Sequence, residues 1–187
     1  VPMPVRRLVL ERFRWVGGHA DVWAIFRDGH TLAAVIAALV EPYREADVTA
    51  ICGIESRGFL LGGAAAVELG VGFIPVRKEY GLFPGDVVTR RSDPDYRHNR
   101  HKLRLQRSSV GPSDRVVLVD DWIETGRQAA ATRAMVEECG AAWLGCSVIV
   151  DQLDRGMHSV VGYVHGLLKA DELPADSERA FDIDNRN

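Results

Sequence analysis

Asp120 and Asp121 close the aliphatic run Val116 to Val119, and the polar turn Glu124-Thr125-Gly126-Arg127-Gln128 follows directly. The aliphatic run has the composition of a buried strand, and Gln128 to Glu138 that of a helix. The first backbone N–H groups of such a helix have no intrahelical acceptor, and together with the helix dipole they favour a phosphate. Paired aspartates beside that phosphate are placed to accept hydrogen bonds from vicinal hydroxyls, as on a ribose. A phosphate site and a sugar-diol site one turn apart describe a ribose 5-phosphate.

Two more polar turns follow strand-like runs. Val48 to Cys52 reads as a short buried strand, Gly53-Ile-Glu-Ser-Arg-Gly58 as a turn, and Phe59 to Leu69 as a helix closed by Gly70. Val71 to Val76 is the next strand, with Arg77, Lys78 and Glu79 just beyond its end. Asp28 caps a helix over Thr31 to Val40 that stops near Pro42. Lys102 to Gln106 and Arg115 to Asp120 read as strands, a helix over about 127–139 ends at Gly140, and Trp143 to Val150 is a further strand. Residues 79–101, rich in Gly, Pro, Asp and Arg, read as a long irregular segment. Alternating strands and helices imply an α/β fold, a mostly parallel central sheet flanked by helices. The turns at 53–58, 77–79 and 120–127 then share the carboxyl edge of the sheet, where such folds bind ligands.

Composition agrees with one globular domain. The chain has 187 residues, of which 47% are hydrophobic and 26% charged. A net charge of −3 gives no global field for nucleic acid, although residues 90–107 concentrate Arg90, Arg91, Arg97, Arg100, Lys102, Arg104 and Arg107. No apolar run reaches membrane-spanning length, the first residues lack a signal-peptide core, and no membrane partner is expected. Cys52, Cys139 and Cys146 have no metal-ligand spacing and read as buried thiols of a cytoplasmic protein.

The run Val116 to Gln128 resembles the signature of type I phosphoribosyltransferases, which bind 5-phosphoribosyl 1-diphosphate (PRPP). Ile51 to Gly62, Glu68 to Lys78 and Phe26-Arg27-Asp28 are similar to blocks of the adenine-type (purine) members, in the same order, so the likeness extends over roughly residues 22–151. The resemblance implies transfer of ribose 5-phosphate from PRPP to a purine-type base, giving a nucleoside 5′-monophosphate and diphosphate. It implies a core over about 28–151, a small hood from about 1–27 and 152–175, and a polar tail over 176–187. On this reading Glu55, Ser56, Arg57, Gly58, Arg77 and Lys78 receive the diphosphate, with a cis peptide expected near Glu55–Ser56. Asp120 and Asp121 hold the ribose, and Glu124, Thr125, Gly126, Arg127 and Gln128 the 5-phosphate. Mg²⁺ is expected as the cofactor, held mostly by PRPP and only weakly by Asp120 and Asp121. Phe26, Arg27 and Ile123 border the base, with the alternative that Phe26 is core and Asp28 simply a cap. The family also implies a homodimer, and a catalytic lid where the basic loop lies; a solvated charge run is the other reading of that loop.

Two departures from the family pattern bear on chemistry. Gln128 stands where adenine-type enzymes carry a hydroxyl, and Glu124 is acidic where they carry a small residue. Relatives acting on 6-oxopurines place an acid at that position to exchange a proton with the base, which makes Glu124 a catalytic candidate beside Asp121. Asp95-Tyr96 is the nearest equivalent of the lid's acid–tyrosine pair, and Asp95 is the third candidate. Adenine, a 6-oxopurine or an unusual heterocycle all remain open as the base. A non-catalytic protein that binds PRPP or a nucleotide for regulation is the alternative function.

Overall fold

The computed structural model describes residues 3–78, 83–91 and 102–175. The chain opens with helix α1 (Met3–Arg12), strands β1 (Arg14–Val16) and β2 (His19–Asp21), and helices α2 (Trp23–Arg27) and α3 (Gly29–Val40). Strand β3 (Ala50–Ile54), helix α4 (Arg57–Leu69) and strand β4 (Gly72–Lys78) come next. After them lie β5 (Val87–Arg91), β6 (Lys102–Gln106), β7 (Arg115–Ile123), helix α5 (Arg127–Glu138) and β8 (Ala142–Asp151). Helix α6 (Arg155–Val161) and strand β9 (Val164–Lys169) complete the set.

Seven strands form one sheet in the order β5-β6-β4-β3-β7-β8-β9, while β1 and β2 make a separate antiparallel hairpin. Strands β4, β3, β7, β8 and β9 are mutually parallel, as the alternation of elements requires. The β4–β6 and β5–β6 pairs are antiparallel and form one edge. Period-two alternation divides the sheet between two apolar cores. Ile51, Val117, Val119 and Ile149 face α1, α2, α3 and α4, whereas Cys52, Leu118 and Val148 face α5 and α6. Asp28 caps α3 as expected, its carboxylate accepting from Thr31 N at 2.8 Å and Thr31 Oγ1 at 2.7 Å. Those two bonds, with Arg12 adding to them, lower its pKa to about 2. Gly70 closes α4 with a left-handed φ of 69°.

Three sequence expectations are corrected. Arg77 and Lys78 belong to β4 and do not lie beyond it, because pairing with Arg104 and Leu103 of β6 extends the strand through them. The segment read as irregular over 79–101 contains β5, where Val87, Val88 and Thr89 pair with Gln106, Leu105 and Arg104. Strand β7 continues past Asp120 to Ile123, since its ladder with β8 runs on through Ile123 and Asp151. Among the described residues no helix is long and apolar enough to cross a membrane.

One close approach sets how α4 meets the sheet. A Cβ placed on Gly53 of β3 would lie 2.1 Å from the carbonyl oxygen of Gly58, so only glycine lets the first turn of α4 rest on the end of β3. Gly53→Ala must therefore push backbone against backbone, and a loss of roughly 1–3 kcal/mol in urea unfolding is expected. An alanine variant as stable as the parent would show that this contact does not constrain the fold.

Candidate active site

The ends of β3, β4, β7 and β8 surround a cavity of about 590 Å³. Ile54, Glu55, Ser56 and Arg57 line it from the β3–α4 turn, and Lys78 from the end of β4. Asp120 to Gly126, Gln128 and Ala129 line it from β7 and the start of α5. The β3–α4 turn, Lys78 at the end of β4 and the β7–α5 turn therefore share one edge. The peptide between Glu55 and Ser56 is cis, as expected.

Both helices that begin here lack a side-chain cap, and Glu55 and Glu124 lie just ahead of their N-caps. Neither α4 nor α5 has an acidic residue in its first turn, and neither Ser56 nor Gly126 caps its helix with a side chain. Gly126 takes a left-handed φ of 68° that turns the chain from β7 into α5. A Cβ there would stand 2.8 Å from Leu153, so the turn is also packed from below. Each helix start is a ready anion site.

The carboxylates carry the opposite charge. Asp120 is held above the ordinary carboxylate range, first by burial and then by the charge and hydrogen bonding of Asp121. The Asp121 N–H, which donates to Asp120 Oδ1 at 2.9 Å, and the charge of Lys78 oppose that rise. Asp121 is 5% exposed, and Arg57 Nε lies 2.9 Å from its Oδ2. That oxygen accepts no hydrogen bond among the described residues, so the contact is an ion pair without directed geometry. Glu55 is pulled the other way. Burial favours its neutral form, but bonds from Arg77 Nη2 at 3.2 Å and Lys78 N at 3.1 Å outweigh this and lower its pKa.

Two adjacent carboxylates, one with an oxygen lacking a hydrogen bond, suit a hard cation that takes most of its ligands from a substrate phosphate. No cluster of three or more His, Cys, Asp or Glu side chains among the described residues makes a metal cage. Among the described residues, Asp120 and Asp121 therefore offer a Mg²⁺ a partial set.

Several predicted residues lie elsewhere. Phe26 is 8% exposed and packs into the core, edge-on to Trp23 at 5.6 Å, while Arg27 is exposed; neither lines the cavity. Of the two readings of Phe26, the structure places it as core, because α2 turns its apolar side toward α3. Arg77 also lies off the cavity wall, bonded to Glu55, and Arg127 is not part of the lining. Gly58 acts by proximity, since a Cβ there would stand 3.1 Å from Asp120 Oδ1. Ile123 and Glu124 do line the cavity. Asp95, most of the basic loop and the tail from 176 lie outside the described residues.

The opposite wall escaped sequence reading. Trp15 and His19 from the β1–β2 hairpin, Trp23 from α2, Trp122 from β7 and Gln152 after β8 all line the cavity. The available signal was Gly17-Gly18 between Trp15-Val16 and His19-Ala20, a dipeptide that favours a two-residue hairpin turn; both glycines have positive φ, 55° and 72°. Trp122 and Gln152 carried no such signal.

Comparison with known proteins agrees with this geometry. Residues 22–172 match the phosphoribosyl transferase domain family. The adenine phosphoribosyltransferase of Methylobacillus flagellatus is 40% identical over 136 residues, 73% of this chain and 76% of the relative. The crystal structure of the Leishmania tarentolae adenine phosphoribosyltransferase superposes with a TM-score of 0.79 at 31% identity, covering 91% of this chain and 89% of the other. The Saccharomyces cerevisiae enzyme, complexed with adenine and an imino-altritol bisphosphate, gives 0.77 at 28% identity, covering 89% and 100%.

The buried acid pair makes a pH prediction. Asp120 binds its proton more tightly folded than unfolded, so its contribution to stability is full below the ordinary value of 3.8 and is lost as pH rises toward the folded pKa. Asp120→Asn removes that titration. In buffer without divalent cations or phosphates, its melting temperature relative to the parent should climb as pH rises from about 4 toward neutrality. A difference that is flat with pH would contradict the buried-carboxyl account.

Proposed function

This chain belongs to the phosphoribosyl transferase domain family, and from that premise we propose that its cavity binds PRPP between the starts of α4 and α5. The chain is a PRPP-dependent purine phosphoribosyltransferase. In that reaction a purine ring nitrogen forms a bond to the anomeric carbon, the bond from that carbon to the diphosphate oxygen breaks, and the base releases a proton. The observation that carries the assignment of roles is the placement of one acid pair between two uncapped helix N-termini in a single cavity.

On this reading the 5-phosphate rests on Thr125, Gly126 and Gln128 at the start of α5, with Arg127 adding charge from the side. The diphosphate rests on Ser56, Arg57 and the Gly58 N–H, with Lys78 facing it from β4. Arg77 acts through Glu55, holding the loop. Asp120 and Asp121 accept from the ribose hydroxyls, and as carboxylates they stabilise the positive charge that develops at the anomeric carbon. Arg57 is shared between Asp121 and the diphosphate, so binding of the substrate draws it from one to the other. Mg²⁺, where bound, would lie against Asp120 and Asp121 and neutralise diphosphate charge. Glu124, at the cavity wall, is placed to take the proton leaving the base. Asp95 is the further catalytic candidate, by resemblance to the acid of the family's lid.

The activity of the relatives makes adenine the first base to test, with 6-oxopurines next because of Glu124. A cytoplasmic homodimer is the expected working form. Leu60 and Val67, 39% and 83% exposed on the outer side of α4, give it an apolar face.

Release of diphosphate from PRPP should be seen with one purine of an adenine, hypoxanthine, guanine and xanthine panel. Asp121→Asn should lower kcat/KM for that purine on the order of 10²-fold. Full turnover in that variant would remove Asp121 from the mechanism. Stabilisation by PRPP with no release for any base would instead make the protein a regulatory binder.

A further inference from the structure

Anion sites occupy one half of the cavity, around the starts of α4 and α5, and the other half is aromatic. Trp15, Trp23 and Trp122 border that second half together with Ile123 and Gln152. A planar base with its sugar phosphate anchored on α5 would find tryptophan faces here that suit it.

Gln152 is the one neutral side-chain amide on this aromatic side, and it is tied twice to β7. Its backbone N–H donates to Ile123 O at 2.9 Å, and its side-chain Oε1 accepts from Trp122 Nε1 at 2.8 Å. An indole N–H only donates, so its partner must be the amide oxygen and the amide cannot be turned over. Trp122 is itself fixed by packing against Phe13 and Trp15, with ring centroids 6.4 Å away in each case. Gln152 is exposed, the Trp122 bond turns its Nε2 group away from the indole, and no hydrogen bond to another described residue engages that group.

We propose that Gln152 is a specificity-determining residue of the base subsite. Its Trp122-oriented amide donates to a hydrogen-bond acceptor, a ring nitrogen or carbonyl oxygen, on the edge of the purine. The proposal rests on the reading of this cavity as a PRPP and purine site. Trp122 is then a positioning residue that acts through the amide. Placing a donor here selects against a base that turns an amino group toward the end of β8, because two donors would face each other unpaired.

Binding of adenosine and inosine 5′-monophosphates, measured by calorimetry, tests this without requiring turnover. For whichever nucleotide binds the parent more tightly, Gln152→Ala should weaken binding about tenfold. Gln152→Glu should weaken it further at neutral pH, because an ionised carboxylate only accepts. Binding by Gln152→Glu relative to Gln152→Ala should recover as pH falls, since a protonated carboxyl again offers a donor. Trp122→Phe keeps the ring packing and frees the amide, and should weaken binding less than Gln152→Ala does. A purely structural role for Gln152 would give no pH-dependent recovery in the glutamate variant, and that result overturns the proposal. So does unchanged affinity in all three variants while the parent binds nucleotide. Failure of the parent to bind either nucleotide, together with no diphosphate release, overturns the PRPP reading and this proposal with it.

Discussion

The carboxyl group of Asp120 sits where β7, the first turn of α4 and the end of β3 come together, and the geometry of the site follows from that meeting. Gly58 leaves room for the carboxyl and Gly53 leaves room for Gly58, so three backbone segments approach more closely than side chains would allow. This fixes the start of α4 relative to the end of β7. It also puts a carboxylic acid where ionisation is unfavourable, held there by the surrounding sheet. A charge kept out of water is costly to the empty protein and available to a ligand that brings hydroxyls or a cation.

Opposed signs of charge are sorted by secondary structure. Helix starts, which carry positive partial charge, are left without acidic neighbours in their first turns, and Arg57 and Lys78 add to them. Asp120 and Asp121 lie between them on the strand, and Glu55 and Glu124 in the turns that lead into the two helices. Such an arrangement suits a substrate that is anionic at both ends and becomes cationic at its centre as the leaving group departs. The ion pairs Arg57–Asp121 and Arg77–Glu55 keep these groups in place before any ligand arrives.

The aromatic half of the cavity depends on the segment around α1 and the β1–β2 hairpin meeting the segment after β9. Trp15 Nε1 donates to Pro174 O at 2.7 Å, and Arg6 pairs with Glu172, which tie the β1–β2 hairpin and α1 to the segment after β9. Trp122 connects this layer to the sheet through its contacts with Phe13 and Trp15 and its bond to Gln152. The aromatic side is thereby coupled to β7, the same strand that carries the acid pair.

Local sequence determined the parallel core and its charged edge. Runs such as Val116 to Val119 and Ile51-Cys52 are apolar on both faces, and only a strand covered by helices on both sides satisfies that pattern. The polar turns after them, and the Asp28 and Gly70 helix boundaries, follow from short-range rules of capping and backbone freedom. What required the tertiary structure was whatever depends on pairing or on distant contacts. β4 takes in Arg77 and Lys78, and β5 forms at all, because β6 supplies a ladder from another part of the chain. Sequence left Phe26 open between base neighbour and core, and packing against α3 decided its burial, while Trp15, Trp23, Trp122 and Gln152 came to the cavity. No periodicity marks those four residues as neighbours, because they come from the hairpin, α2, the end of β7 and the end of β8. Their meeting is a property of how the layers close, and a linear pattern does not encode it.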